Sequence, residues 1–279
     1  MSSNLKKRIG VDIGRRAKLE DGLARAVEND IFYIDIQLDS GSNAMETFDK
    51  TRCEAVKKTC RNHGIHLGLH TLSGGNMAEY SNFYRQAADQ YICAYIDMAR
   101  RLEAEWVVVH AGFHFTADYQ QRRQASLERI QRASQYAEEK GIHLLLENIN
   151  REPKDAEVNY LGYTIEECAF YFDNLQSPNL HWTFTINHAT LEPEGINGFL
   201  DTFGIERIRE VRVADNLGDK ENHMYPGDGS IDFRAFFSRI ENMGYTGHYT
   251  NGFGSLDDML RGRDYLVAEA KAAGVPSAQ

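Results

Sequence analysis

Short apolar runs alternate with longer amphipathic stretches along the whole chain. Eight of the apolar runs have the length of β-strands and are bounded by glycine, polar or charged residues, and several are rich in β-branched and aromatic side chains. They cover residues 8–13, 32–38, 65–70, 105–110, 142–147, 180–186, 209–214 and 247–251. The pattern therefore predicts eight strands separated by helices.

The stretches between the strands carry helix start and stop signals. Residues 48–64 and 121–141 both end in a glycine, which commonly caps the C-terminus of a helix. Thr164 and Glu167 have the spacing of a capping box at the start of another helix. The other stretches of helical length cover residues 19–29, 80–103, 231–244 and 257–274.

A regular alternation of strands and helices predicts a parallel sheet. The 279 residues match one closed (β/α)8 barrel, which needs about 250 residues. An open doubly wound sheet is the alternative, but no GxGxxG, the mark of a dinucleotide-binding sheet, follows the first strand. We therefore predict an α/β protein that forms a single TIM-barrel domain over residues 1–279, with its core from about 8 to 274.

The composition narrows the range of partners and compartments. The net charge of −10 disfavours binding to nucleic acid, which depends mainly on neutralising phosphates. The four cysteines contain no CxxC pair, which indicates reduced thiols in a cytoplasmic protein. The N-terminal segment lacks the apolar core of a signal peptide, and no apolar run is long enough to span a membrane. We therefore expect a cytoplasmic protein with neither a nucleic acid nor a membrane as partner.

Polar side chains follow the predicted strands at the end where a TIM barrel carries its active site. In chain order these residues are His70, His110, Glu147, His188, Asp215, Glu221 and His223. His70, His110 and Glu147 end three successive strands, so their side chains should converge on the barrel axis. We expect these three to line the functional pocket.

Another group of histidines lies at the opposite end of the predicted strands. His63, His66, His143 and His181 precede or open a strand, and His248 lies early in the last strand. Because the chemistry of a barrel lies at the carboxyl ends of its strands, we expect these histidines to be structural.

Four segments carry a resemblance to a known family. They are residues 99–112, 136–148, 187–195 and 211–233, the last of which contains Asp-Asn followed by a Glu-x-His pair and a Pro-Gly-Asp-Gly turn. With these motifs the chain resembles the xylose isomerase-like barrels. That superfamily includes sugar epimerases, hydroxypyruvate isomerases, inosose dehydratases and the endonuclease IV type of DNA repair enzyme.

The resemblance implies a metal site whose ligands are mostly replaced here. Family members typically bind one divalent ion through Glu, Asp, His and Glu, and the matching residues are Glu147, Thr185, Arg212 and Asn251. A hard divalent ion needs several oxygen or imidazole ligands, and Arg212 adds a permanent positive charge instead. We therefore predict no metal cofactor and expect Arg212 to pair with Glu147, either to supply the charge of the missing ion or only to neutralise a buried carboxylate.

The endonuclease-like members use two further metal positions, and the matching residues are all suitable ligands. One set is His70, His110 and Glu147, and the other is His188, Glu221 and His223. Either set offers the three protein ligands that a zinc ion accepts, so a zinc or manganese site at one of them is the alternative to a metal-free pocket.

The resemblance implies a small-molecule enzyme of the sugar isomerase or epimerase type. Its substrate would be a sugar, polyol or hydroxy-keto acid, and its reaction a proton transfer next to a carbonyl, as in an isomerase or a lyase. Glu147 is the predicted base, Arg212 the predicted partner of the substrate oxygen, and His188 and His223 the predicted acids. The residues predicted to bind substrate are His70, His110, Thr185, Asp215, Asn251 and Arg151.

Several alternatives stay open at this point. Asp215 belongs to the Asp-Asn motif and has an equally good claim to a structural role. Arg15 and Arg16 follow the first strand and could hold an anionic group of the substrate. The whole protein could instead be a metal-dependent isomerase or hydrolase with relocated ligands, or a non-catalytic ligand-binding or partner subunit, and a homo-oligomer is also open. A DNA repair nuclease is opposed by the acidic charge.

Overall fold

The eight predicted strands all form, and they pair in parallel into a closed barrel. The computed structural model describes residues 5–275; residues 1–4 and 276–279 of the predicted domain lie outside the described residues. The strands are β1 (Ile9–Gly14), β2 (Tyr33–Ile36), β3 (His66–His70), β4 (Trp106–Val109), β5 (Phe113–Phe115), β6 (His143–Glu147), β7 (Val158–Tyr160), β8 (Leu180–Thr185), β9 (Ile208–Val213) and β10 (His248–Asn251). Pairing of β1 with β10 closes the barrel, and β5 and β7 lie outside it.

Helices connect the strands and surround the barrel. They are α1 (Leu5–Arg8), α2 (Leu19–Glu28), α3 (Lys50–His63), α4 (Asn82–Leu102), α5 (Tyr119–Lys140), α6 (Ile165–Asn174), α7 (Ile186–Ala189), α8 (Gly195–Phe203), α9 (Phe233–Asn242) and α10 (Leu256–Ala272). Gly64 and Gly141 end α3 and α5 in the left-handed conformation, with φ of 63° and 69°. Thr164 accepts a hydrogen bond from the backbone N–H of Glu167. The glycine stop signals and the Thr164 cap are therefore confirmed, but the capping box is incomplete, because the Glu167 side chain accepts from the backbone N–H groups of Gly162 and Tyr163.

The small antiparallel sheet of β5 and β7 was not predicted. It joins the loop after β4 to the loop after β6, with Phe113 opposite Tyr160. Each strand has three residues, which is too short for an alternation of apolar and polar positions to be recognised. The short helices α7 and α8 were missed as well. The hairpin matters for function because Tyr160 lines the cavity at this end of the barrel.

The alternation of side chains along the strands places polar groups inside the barrel. On β8, Trp182 and Phe184 face outward and pack against Phe199 of α8. On β9, Glu210 and Arg212 face the barrel interior. Because successive residues of a strand point to opposite faces, apolar residues cover the outer face, and the interior holds charged residues together with Trp106.

Two further expectations concern membrane-spanning segments and the state of the cysteines. No helix within residues 5–275 is long and apolar enough to cross a membrane. All four cysteines are free thiols, which agrees with the absence of a CxxC pair.

Candidate active site

A cavity of about 610 Å³ opens at the carboxyl ends of the barrel strands. Its polar lining comes from many strands, as in other TIM barrels. The charged and imidazole side chains that line it are Asp12, Arg15, Arg16, His70, His110, Glu147, Glu152, His188, Arg212, Glu221 and His223. The strand-end residues singled out in the sequence are thus brought together, with the exceptions described below.

Glu147 lies at the floor of this cavity, at the end of β6. Its side chain is 3% exposed, and its Oε1 accepts a hydrogen bond of 2.5 Å from the Thr185 hydroxyl. Its Oε2 lies 3.0 Å from Nε2 of His110 and 3.4 Å from Nε2 of His70. Burial alone would raise the pKa of this carboxyl, but the contacts with His110 and His70 hold the pKa well below its usual range. Glu147 is therefore ionised in the folded protein.

His70 and His110 face each other across Glu147, with their Nε2 atoms 3.2 Å apart. Nδ1 of His70 lies 3.6 Å from Oδ2 of Asp12. Burial and the nearby Arg212 disfavour a charged His70, but Asp12 and Glu147 outweigh them and raise its pKa to about 8. Burial lowers the pKa of His110. His70 is therefore the protonated partner of the pair at neutral pH.

A second cluster lies beside Glu147, where Glu221 joins two histidines, and Nδ1 of His188 is 3.6 Å from Oε1 of Glu147. Its Oε1 is 3.2 Å from Nε2 of His188 and 2.6 Å from Nε2 of His223. The other ring nitrogens donate to backbone carbonyls, that of His188 to Asn148 and that of His223 to Gly252.

The charges of this cluster support one another. Burial opposes a charge on His188, but Glu221 raises its pKa to about 8. Burial likewise opposes a charge on Glu221, but His188 and His223 lower its pKa to about 2. The cluster therefore offers the cavity an imidazolium held in a fixed direction.

The expected pair between Arg212 and Glu147 does not form. Nη1 of Arg212 donates to Asp35 at 2.6 Å and to Glu210 at 2.8 Å, and Nη2 donates to Asp12. Glu210 is two residues earlier on the same inward face of β9, and Asp12 and Asp35 point to the barrel axis from β1 and β2. The guanidinium is thus held by three other carboxylates, and it makes no ion pair with Glu147.

The sequence analysis missed these three carboxylates. Burial, followed by repulsion from its neighbouring carboxylates, raises the pKa of Asp35 well above its usual range, and burial raises that of Glu210. The pKa of Asp12 is lowered: burial opposes this, but Arg212 and His70 prevail. An acidic residue in the middle of an apolar strand costs free energy unless it is paired. Such a residue occurs in β1, β2 and β9, and this is the sequence signal that could have revealed the three carboxylates.

The residues at the family's single metal position do not fit a divalent ion. The Thr185 hydroxyl donates a hydrogen bond to Glu147, which is the only carboxylate among the four residues at this position. Arg212 brings a fixed positive charge. Asn251 is fully buried, faces outward, and donates to the backbone carbonyl of Met259 in α10. Because side chains alternate along β10, Asn251 points away from the cavity that Gly252 lines.

The set of His70, His110 and Glu147 does match the needs of an ion. Its three facing atoms are 3.0, 3.2 and 3.4 Å apart. A tetrahedral zinc ion with bonds of about 2.0–2.1 Å to its ligands spaces them about 3.4 Å apart. The set of His188, Glu221 and His223 also brings its ligand atoms together.

Three further sequence candidates, Thr185, Asp215 and Arg151, are absent from the cavity lining, and Thr185 is 1% exposed and contacts Glu147 instead. Asp215 is fully buried and accepts hydrogen bonds from the backbone N–H groups of Gly227, Gly229 and Ile231, so it orders the loop after β9. Arg151 is about one-third exposed and lies 3.8 Å from Glu192. The structure thus gives Asp215 the structural position that the sequence analysis had left open.

Comparison with known proteins places the chain among its relatives. The family described as the xylose isomerase-like TIM barrel matches residues 23–266. The chain belongs to this family. An uncharacterized protein of Methanocaldococcus jannaschii is 28% identical over 68% of this chain and 65% of its own length. The L-ribulose 3-epimerase of a Methylomonas species is 30% identical over 47% of this chain and 42% of its own. The chain thus covers less than two-thirds of either relative.

Two solved structures share the fold. The crystal structure of a D-tagatose 3-epimerase-like protein has a TM-score of 0.83 and 21% identity, covering 96% of this chain and 98% of that one. The D-psicose 3-epimerase of Clostridium cellulolyticum has a TM-score of 0.72 and 16% identity, covering 97% and 98%. At these identities the likeness is one of fold.

Proposed function

We propose that this protein is an enzyme of the sugar isomerase and epimerase type, which moves a proton at a carbon next to the carbonyl of a small polyhydroxy substrate. The observation that carries the proposal is Glu147, a buried carboxylate at the floor of a cavity, surrounded by three imidazoles. The matched relatives named as 3-epimerases of ribulose and of ketoses support the same class of substrate.

Glu147 is the proposed base. Its carboxylate takes the proton from the substrate carbon, and the electron pair of the broken C–H bond moves to the carbonyl oxygen. A protonated His70 is well placed to donate to that oxygen, because preorganised donors stabilise a charge that develops in the transition state. The hydroxyl of Thr185 orients the carboxylate through its hydrogen bond.

The cluster beside Glu147 supplies the second proton position. His188 and His223 are the proposed acids, and a substrate oxygen would replace Glu221 at one ring nitrogen to receive its proton. A carboxylate base with an imidazole acid beside it suits isomerisation, and the pair equally suits loss of a hydroxyl group as water in a lyase reaction. Arg212 acts as a positioning residue here, since it holds Asp12, which in turn faces His70.

We propose that no ion occupies the family's single metal position, because Thr185, Arg212 and Asn251 are unsuitable ligands. A second candidate function rests on the spacing of His70, His110 and Glu147, which suits zinc or manganese. An ion held there would polarise a carbonyl or activate a water molecule, as in a metal-dependent isomerase or hydrolase.

Exchange of substrate protons with solvent tests the proposal. The purified protein is incubated in D2O with a panel of ketoses, aldoses and hydroxy-keto acids, and deuterium at the carbon next to the carbonyl is followed by NMR. We expect incorporation that persists after chelation and falls roughly 100- to 10,000-fold in Glu147→Gln. Glu138→Gln, a surface carboxylate on α5, is the control.

The other outcomes select between the alternatives. About one equivalent of zinc or manganese in the purified protein, with exchange lost on chelation and on His110→Ala, would support the metal-dependent candidate. Binding of a sugar without any exchange would instead indicate a non-catalytic ligand-binding protein.

A further inference from the structure

Two arginines lie at the mouth of the candidate active site, and none of the roles proposed above uses them. Arg15 and Arg16 are in the turn that follows β1, their side chains are exposed, and both line the cavity of about 610 Å³. Gly14 permits this turn, because its φ of 49° is in the left-handed region and a Cβ there would lie 3.3 Å from Nη1 of Arg16. The turn therefore places two permanent positive charges at the cavity mouth.

Most of the bonding capacity of these two guanidiniums is unused. Arg15 forms no hydrogen bond or ion pair within residues 5–275. Nη1 of Arg16 donates to the backbone carbonyl of Asp12 at 3.2 Å, and its other nitrogens have no partner in that part of the chain. The Asp12 carboxylate attracts Arg16, but one of its oxygens accepts from the backbone N–H of Gly14 and the other from Arg212. The two guanidiniums are thus held at the cavity without a bound carboxylate.

The other charges of the cavity lining nearly cancel. Three of its four carboxylates face a cationic partner, and the pairs are Asp12 with Arg212, Glu147 with His70, and Glu221 with His188. The fourth, Glu152, accepts a hydrogen bond from the Asn150 amide and follows β6, on the opposite side of the barrel from the two arginines. Arg15 and Arg16 therefore give the lining a net positive charge, although the chain as a whole carries −10. Such a lining favours a negatively charged ligand.

The strand order places the two arginines across the barrel from Glu147. Glu147 ends β6, and β6 is four strands away from β1 in either direction around the closed barrel. Gln37 and Ser73, which follow β2 and β3 on the path between them, also line the cavity and offer groups that can hydrogen-bond to hydroxyls. A substrate whose reacting carbon lies at Glu147 therefore reaches the arginines with the far end of its carbon chain.

We propose that the substrate of this cavity is a sugar with an anionic group, a phosphate or a carboxylate, at the end remote from its reacting carbon. The inference rests on the proposed function in placing the reacting carbon at Glu147. Arg15 and Arg16 hold the anionic group by the paired hydrogen bonds that a guanidinium offers to a carboxylate or phosphate. A three-carbon hydroxy-keto acid carries its carboxylate beside the carbonyl and does not reach them.

Polyols without a ketone or aldehyde group test this subsite separately from the reaction. Ribitol 5-phosphate carries a phosphate, ribonate a carboxylate and ribitol no charge, and all three have five carbons. Their affinity for the full chain is measured by isothermal titration calorimetry at low ionic strength, because salt screens exposed charges. We expect at least one of the two anions to bind about tenfold or more tightly than ribitol. The tighter of the two identifies the anionic group.

Matched variants locate the anion. Arg15→Gln and Arg16→Gln should each weaken its binding about threefold or more, and the double variant should bind it no better than ribitol. Lys18→Gln is the control, since this exposed lysine of the same turn is absent from the cavity lining. On a substrate found by deuterium exchange, the double variant should raise KM with little change in kcat, because the anionic group is bound equally before and during the reaction. Circular dichroism melting verifies that each variant folds.

The outcomes distinguish this inference from the proposed function. Equal binding of ribitol and both anions, or a preference for the anions that survives in the double variant, would overturn the anionic subsite. Deuterium exchange into uncharged sugars with a KM that the double variant leaves unchanged would overturn it as well, while leaving the proposed function intact. Anion binding that is lost in the double variant, without exchange into any sugar phosphate or sugar acid, would support the subsite and contradict the proposed reaction.

Discussion

Both ends of the barrel carry histidines, and two buried histidines at one end have the opposite acid–base behaviour to two at the other, while His110 and His66 depart from the trend of their own ends. At the carboxyl end the pKa of His70 and of His188 is raised to about 8. At the amino end the pKa of His181 is lowered to about 4 and that of His248 to about 3. All four are buried to some degree, so burial alone does not distinguish them.

The difference comes from the groups that face each ring. Burial favours the neutral form at both ends. At the carboxyl end the carboxylates of Asp12, Glu147 and Glu221 overcome burial. At the amino end positive neighbours add to the effect of burial, Arg209 on His181 and, in decreasing order, His66, Arg212, Arg8 and Arg209 on His248. His70 and His188 are therefore charged donors suited to proton transfer, whereas His181 and His248 are neutral rings.

A buried charge cluster lies between the two ends. The indole N–H of Trp106 donates to Asp35 at 3.0 Å, and Asp35 accepts from Arg212 at 2.6 Å. Arg212 also donates to Asp12, which faces His70. A chain of polar contacts thus runs through the barrel from Trp106 to the candidate active site. Arg212 is the member on which the rest depend, because it is the cation among three acids.

The largest expected effect follows removal of that cation. Arg212→Met leaves Asp12, Asp35 and Glu210 buried without their partner, and breaking a buried ion pair in this way costs about 3–5 kcal/mol. Urea unfolding followed by circular dichroism measures the loss, and Arg207→Met is the surface control. Arg212→Lys should lose less, because it keeps the charge but not the paired geometry. A loss below about 1 kcal/mol in Arg212→Met would contradict the role given to the cluster.

A smaller effect is expected from Asp12, which links the cluster to the candidate active site. Asp12→Asn keeps the size of the side chain but removes the charge that faces His70. We expect kcat to fall roughly 10- to 100-fold with little change in KM, the amount that a hydrogen bond to a charged group contributes. Steady-state kinetics on the substrate found by deuterium exchange provides the measurement. A change in KM alone would mean that Asp12 binds substrate directly.

Much of the fold could be predicted from the sequence, because apolar runs bounded by glycine and polar residues mark barrel strands strongly. The pairing inside the barrel could not. Arg212 and Glu147 both point to the axis, and strand alternation alone does not tell which of several acids lies nearest to a guanidinium. Asn251 shows a related limit, since a shift of one residue in the motif moves a side chain to the other face of the strand.

The smallest expected effect is on the free energy of unfolding near neutral pH. Its dependence on pH has opposite signs for the histidines at the two ends of the barrel. His248 has a folded pKa of about 3 against an ordinary 6.5, so below pH 6.5 the unfolded chain takes up a proton that the folded protein does not. His248 therefore makes stability fall as the pH decreases from 6.5, by up to about 1.4 kcal/mol per pH unit. His70 and His188, with pKa near 8, make stability fall as the pH rises through 8.

The acidic limb of the stability–pH curve, below pH 6.5, and the alkaline limb above it can be tested separately, by urea unfolding at intervals from about pH 5 to 8.5. Because a phenylalanine takes up no proton in either state, His248→Phe should flatten the acidic limb and leave the alkaline limb as it is. The buried carboxylates Asp35 and Glu210 also bind protons on the acidic side, but they do so in both proteins, so the difference between the two curves isolates His248. An acidic limb of equal slope in both proteins would mean that His248 is charged when folded. His248 would then have the same charge state as His70 and His188, and the contrast between the two ends would not hold for it.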